Sequence, residues 1–183
     1  MSRLAELAPE NMSAEQKAVY DSIVSGERGN FGGPFSALAY SPELTSKVEQ
    51  LGVYVRYQSE VPVRQRELLI CCVGAHWRAD YEWYVHAPLA VKAGIPQSVL
   101  DEIAAGKSPT LDDAADACAF DFTKQLLGSG RVTDKTYANS IELFGEKGTV
   151  DMTGLLGYYG LLAMTLNAFE VNVPADANIP WVQ

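Results

Sequence analysis

Two histidines and three cysteines are all that 183 residues offer toward metal or disulfide chemistry. His76 and His86 lie ten positions apart and no cysteine pair has the Cys-x-x-Cys spacing, so no metal site is expected. Cys71 and Cys72 are adjacent and Cys118 is remote, an arrangement that makes no disulfide framework and points to a reducing, cytoplasmic setting. Positive charge is also scarce. The 14 Lys and Arg stand against 23 Asp and Glu, a net charge of −9, which argues against nucleic acid or an anionic membrane as partner. An anionic substrate would need a local arginine cluster. Long apolar runs are missing as well. The charge-free stretch Met152 to Phe169 reaches only the lower length limit of a span, about 18 residues, and Gly154, Gly157, Gly160, Thr165 and Asn167 keep it mildly apolar. It reads as a helix buried in the core or in a subunit interface. The segment "MSRLAELAPENM" lacks the apolar stretch of a signal peptide, so the Asn11-Met12-Ser13 sequon is expected to stay unmodified. No nucleotide motif survives inspection. "AAGKS" at 104–108 has the tail of a phosphate loop, but Asp101 occupies its first glycine position and a helix precedes it.

What remains is the balance of an ordinary globular protein, 48% hydrophobic and 20% charged, with helical periodicity almost everywhere and no convincing strand. Ser13 and Gln16 form a capping box that opens a helix stopped by Gly26. "ERGNFGGPFSALAYS" reads as a loop over the surface or over a site. Pro42 and Pro62 each open a helix at its first position. Helical patterns follow around 78–94, 95–106, 111–128 and 133–145, and through the charge-free stretch. The reading is all-α, about seven helices in one domain over 1–183, with a helical extension at about 1–40 and an extended tail at about 171–183. Trp181 in that tail is expected to lie on a surface, including that of a neighbouring subunit.

The informative stretch is "RADYEWYVHAPLAVKAG", residues 78–94. Positions 79, 82 and 86 fall on one helical face, which makes Glu82 and His86 side-chain neighbours able to share a proton. On this reading Glu82 fixes the tautomer of His86 and raises its basicity. Tyr81, Trp83, Tyr84 and Pro88 suggest burial on several sides, and Pro88 predicts a kink just after His86.

The block "RQRELLICCVGAHWRADYEWYVHAPLAVKAGI" resembles the carboxymuconolactone decarboxylase family, which includes the AhpD-like alkylhydroperoxidases. The resemblance implies an AhpD-like helical bundle with Glu67 and His86 in the site, nineteen residues apart. The two reactive cysteine positions of the peroxidase branch are Ala79 and Glu82 here, which is similar to the decarboxylase-type branch. It also implies a homo-oligomer, trimer or hexamer, and decarboxylation of a small carboxylated lactone or keto acid that supplies its own electron sink. No cofactor is needed for that reaction. The expected catalytic trio is Glu67, Glu82 and His86, with His86 as proton donor to carbon, Glu82 orienting it and Glu67 as a second relay. Arg64, Arg66, Tyr81 and Trp83 are the expected substrate-binding residues. His76 is expected only to end its helix.

Two other functions stay open on the sequence. Cys71 or Cys72 could serve a thiol-based peroxide reductase, although adjacent helical positions diverge by about 100°. The fold could also serve as a non-catalytic binding module.

Overall fold

Helix α4, Val63–Trp77, is wrapped on nearly every side, with Gln65 and the whole run from Glu67 to Gly74 buried. That burial explains its composition. Leu68, Leu69, Ile70 and Val73 leave no polar face, and each fully buried aliphatic side chain contributes about 1.5–3 kcal/mol. The computed structural model describes residues 2–181. Among them there is no strand, and the order is α1 (Ala14–Ser25), α2 (Pro34–Leu38), α3 (Pro42–Val53), α4, α5 (Asp80–Lys92), α6 (Gln97–Ala104), α7 (Ala114–Ser129) and α8 (Asp134–Ala168). Helices α5, α7 and α8 pack directly on α4, and α6 closes one end of it.

Most starts and stops follow from single residues. The Ser13–Gln16 capping box is formed in both directions at α1. Pro42 takes the first position of α3, whereas Pro62 sits one residue earlier than expected, as the cap of α4. The stretch expected to be a plain loop contains α2, whose Phe35 is fully buried. Pro34 starts that helix, and Gly33 permits it with φ +59. The expected break at 145 is real, since Gly145 adopts φ 69 inside α8 and divides the element. Pro88 lies inside α5, which continues past it to Lys92. The α3 helix runs into a π-turn, Tyr54–Gln58.

The tail folds back on its own chain. Trp181 donates from Nε1 to Asp80 at 2.7 Å, and its ring meets Trp83 edge-on at 5.1 Å. Trp181 thus lies on the surface of its own chain, where a carboxylate at the first turn of α5 satisfies the indole N–H. Residues 182–183 of the expected tail lie outside the described residues. Near the other terminus, Arg3 bonds Glu170 at 2.7 Å and Tyr40 donates to the Ala5 carbonyl at 2.9 Å. No helix is long and apolar enough to cross a membrane among the described residues.

Candidate functional site

Glu67 on α4 and His86 on α5 face each other across the contact between these helices, with Nδ1 and Oε2 2.7 Å apart. Both side chains are buried. Burial pushes the Glu67 carboxyl up, but the hydrogen bond and charge of His86, with Arg66 and Arg56, outweigh it and hold the group below its ordinary value. Burial lowers His86, and Glu67 only partly restores it. The pair at neutral pH is thus a carboxylate and a neutral imidazole. An ionised carboxylate can only accept, so Nδ1 carries the ring proton and Nε2 is left as a free base.

Glu82 lies one turn before His86 but does not bond to it. The residue is 3% exposed, and neither carboxyl oxygen has a partner. Burial alone pushes its pKa well above the carboxylate range. The expectation that Glu82 orients His86 is therefore corrected: Glu67 holds the ring, because the adjacent helix presents it at hydrogen-bond distance. Burial instead favours the neutral form of the Glu82 carboxyl.

Glu82 and His86 open onto a cavity of about 160 Å³ lined also by Arg28, Arg56, Tyr81 and Tyr159. The Tyr159 ring meets the His86 ring edge-on at 5.1 Å. The segment between α1 and α2 contributes Asn30 and Gly32, and Pro34 opens α2 beside them, so the glycine-rich stretch borders this cavity. Arg28 donates to the Tyr158 hydroxyl at 3.0 Å and stacks 4.3 Å over Phe35. The Nε atoms of Arg28 and Arg56 are buried without a partner. Two guanidinium groups with idle donors, a carboxyl whose neutral form burial favours and a neutral imidazole suit a small anion.

The expected binding residues divide. Tyr81 lines the cavity. Arg66 bonds Glu67 at 3.4 Å and the Arg56 carbonyl, so it supports the site from behind. Arg64 is elsewhere, paired with buried Asp116 at 2.7 Å, where it joins α4 to α7. Trp83 packs into a second apolar cluster with Leu68, Ile95 and Leu100. Side chains three apart on a helix point one way and those one apart do not, so Trp83 follows a different face from Glu82. Arg28, Arg56 and Tyr159 were missed. The site-covering reading of the glycine-rich segment contained the signal for Arg28. Arg56 sits in a π-turn, a local widening that periodicity does not show and that often marks functional positions.

All three cysteines are free and buried. Burial pushes the Cys72 thiol up to about 12 and Cys71 well above its ordinary value, the reverse of what a thiolate nucleophile needs.

Gly52 makes room for this arrangement. A Cβ there would lie 2.2 Å from the Tyr158 hydroxyl and 2.8 Å from Arg28 Nη2. Gly52→Ala is therefore expected to displace Arg28 from Tyr158 and cost about 1–3 kcal/mol, the range for overpacking. Denaturant titration checks the cost, and an unchanged midpoint would show that the two side chains can move freely.

No family model matches the chain, and no curated protein does. Solved structures do. An alkylhydroperoxidase AhpD core, a peroxidase-related protein from Ralstonia eutropha JMP134, is similar over 96% of this chain and 93% of its own, with TM-score 0.75 and 14% identity. A peroxidase-related protein from Silicibacter sp. TM1040 covers the same shares with TM-score 0.73 and 13% identity. The debrominase Bmp8, in a complex with 2,3,4-tribromopyrrole, is similar over 96% of this chain and 95% of its own, with TM-score 0.71 and 12% identity. At these identities the likeness establishes an AhpD-like fold.

Proposed function

We propose that the cavity beside Glu82 is the active site of a cofactor-free acid–base enzyme, a lyase that decarboxylates a small carboxylated lactone or keto acid. One observation carries this reading. A carboxyl group buried without any hydrogen-bond partner destabilises the fold, and here it opens onto a cavity beside an imidazole base and two underused arginines. The resemblance of the Glu67 to Gly94 block supplies the substrate class.

The groups divide the chemistry as follows. Arg28 and Arg56 hold the substrate's anionic oxygens. The bond from carbon to the leaving carboxylate breaks, CO2 departs, and its electron pair moves into the conjugated carbonyl to give an enolate. Glu82 then delivers its proton to carbon, and its carboxylate is reprotonated from solvent with Nε2 of His86 as relay. Glu67 keeps Nδ1 protonated throughout and so preserves Nε2 as the base. Glu82 thus takes the donor role first expected of His86. A thiol-based route has less support, because Cys71 and Cys72 are buried with raised pKa values and Ala79 and Glu82 stand at the reactive positions.

The test incubates candidate carboxylactones and keto acids in D2O, follows CO2, and looks for one deuterium on the product carbon. His86→Ala is expected to slow turnover by about 10²- to 10⁴-fold. Full retention of turnover would remove His86 from the mechanism, and failure of every carboxylated substrate would remove the substrate class.

The same reading includes a cytoplasmic homo-oligomer. Along α8, Val150 is 69% exposed and Met164 48% exposed, and Gly154 and Gly157 face open space between them. These positions recur at steps of four, three and seven, which gives one uncharged stripe suited to a second copy of the chain. Light scattering should show a trimer or hexamer that Gly157→Glu reduces to monomers; a monomeric wild type would contradict this.

A further inference from the structure

A second cleft lies where α4, α6 and α7 meet, and it shares no lining residue with the first cavity. It encloses about 340 Å³, roughly twice the first cavity. Its rim carries His76, Arg78, Lys107 and Lys124, and among the described residues no acidic side chain lines it. In a chain with 23 acidic and 14 basic residues, that segregation is a departure from the average surface. None of Arg78, Lys107 and Lys124 forms an ion pair among the described residues, and Lys124 donates only to the Ser108 hydroxyl. The floor is apolar. Ile103 and Phe120 are buried there, and the Lys124 ammonium lies 5.9 Å from the Phe120 ring centre.

Backbone conformation adds an independent observation. Arg78 caps α4 with φ 48 and ψ 48, left-handed geometry in which a side chain costs about 1–2 kcal/mol and glycine costs least. An arginine kept in a glycine position, with its charge unpaired on the rim of a cleft, is strain placed where a ligand could use it. Cations near the C-terminal ends of α4 and α6 also complement those helix dipoles, so the test must separate the two roles.

We infer that this cleft binds a small amphiphilic anion, an apolar chain or ring bearing a single anionic head. The head meets Arg78, Lys107 and Lys124, and the body covers Ile103 and Phe120. The volume exceeds that of a lone inorganic ion several-fold, since a water occupies about 30 Å³ of liquid. The chain's overall negative charge repels anions elsewhere on the surface, which leaves this rim as a local attractor. The site is independent of the reaction proposed for the first cavity.

Calorimetry with octanoate, octanol and inorganic phosphate on the full chain tests this. Octanoate is expected to saturate one site, with octanol and phosphate each binding at least tenfold more weakly, about 1.4 kcal/mol. Lys107→Gln with Lys124→Gln should weaken octanoate by about tenfold or more, in line with charge-assisted contacts. Gly128→Glu, which places an acid on the rim where a Cβ has open space, should do the same without disturbing the fold. Arg78→Gly should weaken octanoate while raising the melting temperature, a combination that dipole complementation alone does not give. Arg56→Met, in the first cavity, should leave this binding unchanged. The inference is overturned if octanoate shows no saturable binding, if octanol or phosphate binds equally well, or if the loss follows Arg56→Met rather than the rim variants.

Discussion

Replacing Glu82 by glutamine is expected to slow turnover by about 10²- to 10⁴-fold, the range for losing a general acid, and at the same time to stabilise the protein at alkaline pH. The two effects share one cause. Burial pushes the Glu82 pKa well above its ordinary 4.5, so the unfolded chain ionises this group over a pH range in which the folded protein cannot. Stability from this group is therefore fully present below about 4.5 and is lost as pH rises toward the folded-state value, at no more than about 1.4 kcal/mol per pH unit. Glutamine does not ionise and escapes that loss. Denaturant midpoints of the two proteins should accordingly be similar at pH 4 and diverge in the variant's favour toward pH 8. A constant gap across that range would mean that Glu82 titrates normally. A variant that is more stable yet inactive is the pattern expected where a destabilising group is kept for chemistry.

Glu67→Gln should cause a rate loss of similar size for a different reason. A glutamine amide can donate to Nδ1 of His86, which moves the ring proton to Nε2 and removes the free base from the cavity. The 2.7 Å contact survives with its donor and acceptor exchanged, so the fold should be retained. Nitrogen NMR of the ring should report the tautomer change directly, with the proton on Nδ1 in the wild type and on Nε2 in the variant. Activity of the wild type should fall on the acid side as His86 protonates, below its ordinary 6.5 because burial lowers it. It should fall again on the alkaline side as Glu82 loses its proton. Full activity in Glu67→Gln would show that ring orientation does not matter.

The all-helical architecture was legible because its signals are local. The capping box at Ser13, Pro42 at the first turn of α3 and the glycine at 145 act on their own backbone and reappear where the pattern places them, while Pro62 is displaced by one residue to the cap of α4. The site was legible only in part. Glu82 and His86 share a face by periodicity, and Glu67 reached the site through the resemblance of its block. Which glutamate bonds His86 depends on how α4 packs on α5, a tertiary distance that spacing along one helix does not encode. The i, i+4 rule favoured Glu82, and the neighbouring helix overrode it. Arg64 illustrates the same limit from the other side. It lies three residues before Glu67 yet turns to Asp116, because a buried carboxylate on α7 holds it there. Arg28 and Arg56 come from distant segments brought together by α8, with Tyr158 as the tie to Arg28, and no local pattern joins them.

The central claim is that Glu82 enters the cavity as a neutral acid. Infrared difference spectra of the wild type minus Glu82→Gln at pH 7 test it without any substrate. The account predicts the C=O stretch of a protonated carboxyl that belongs to Glu82, shifts in D2O and disappears only at pH values well above the ordinary carboxylate range. A carboxylate signature for Glu82 at pH 7, with no protonated band lost in the variant, would contradict it.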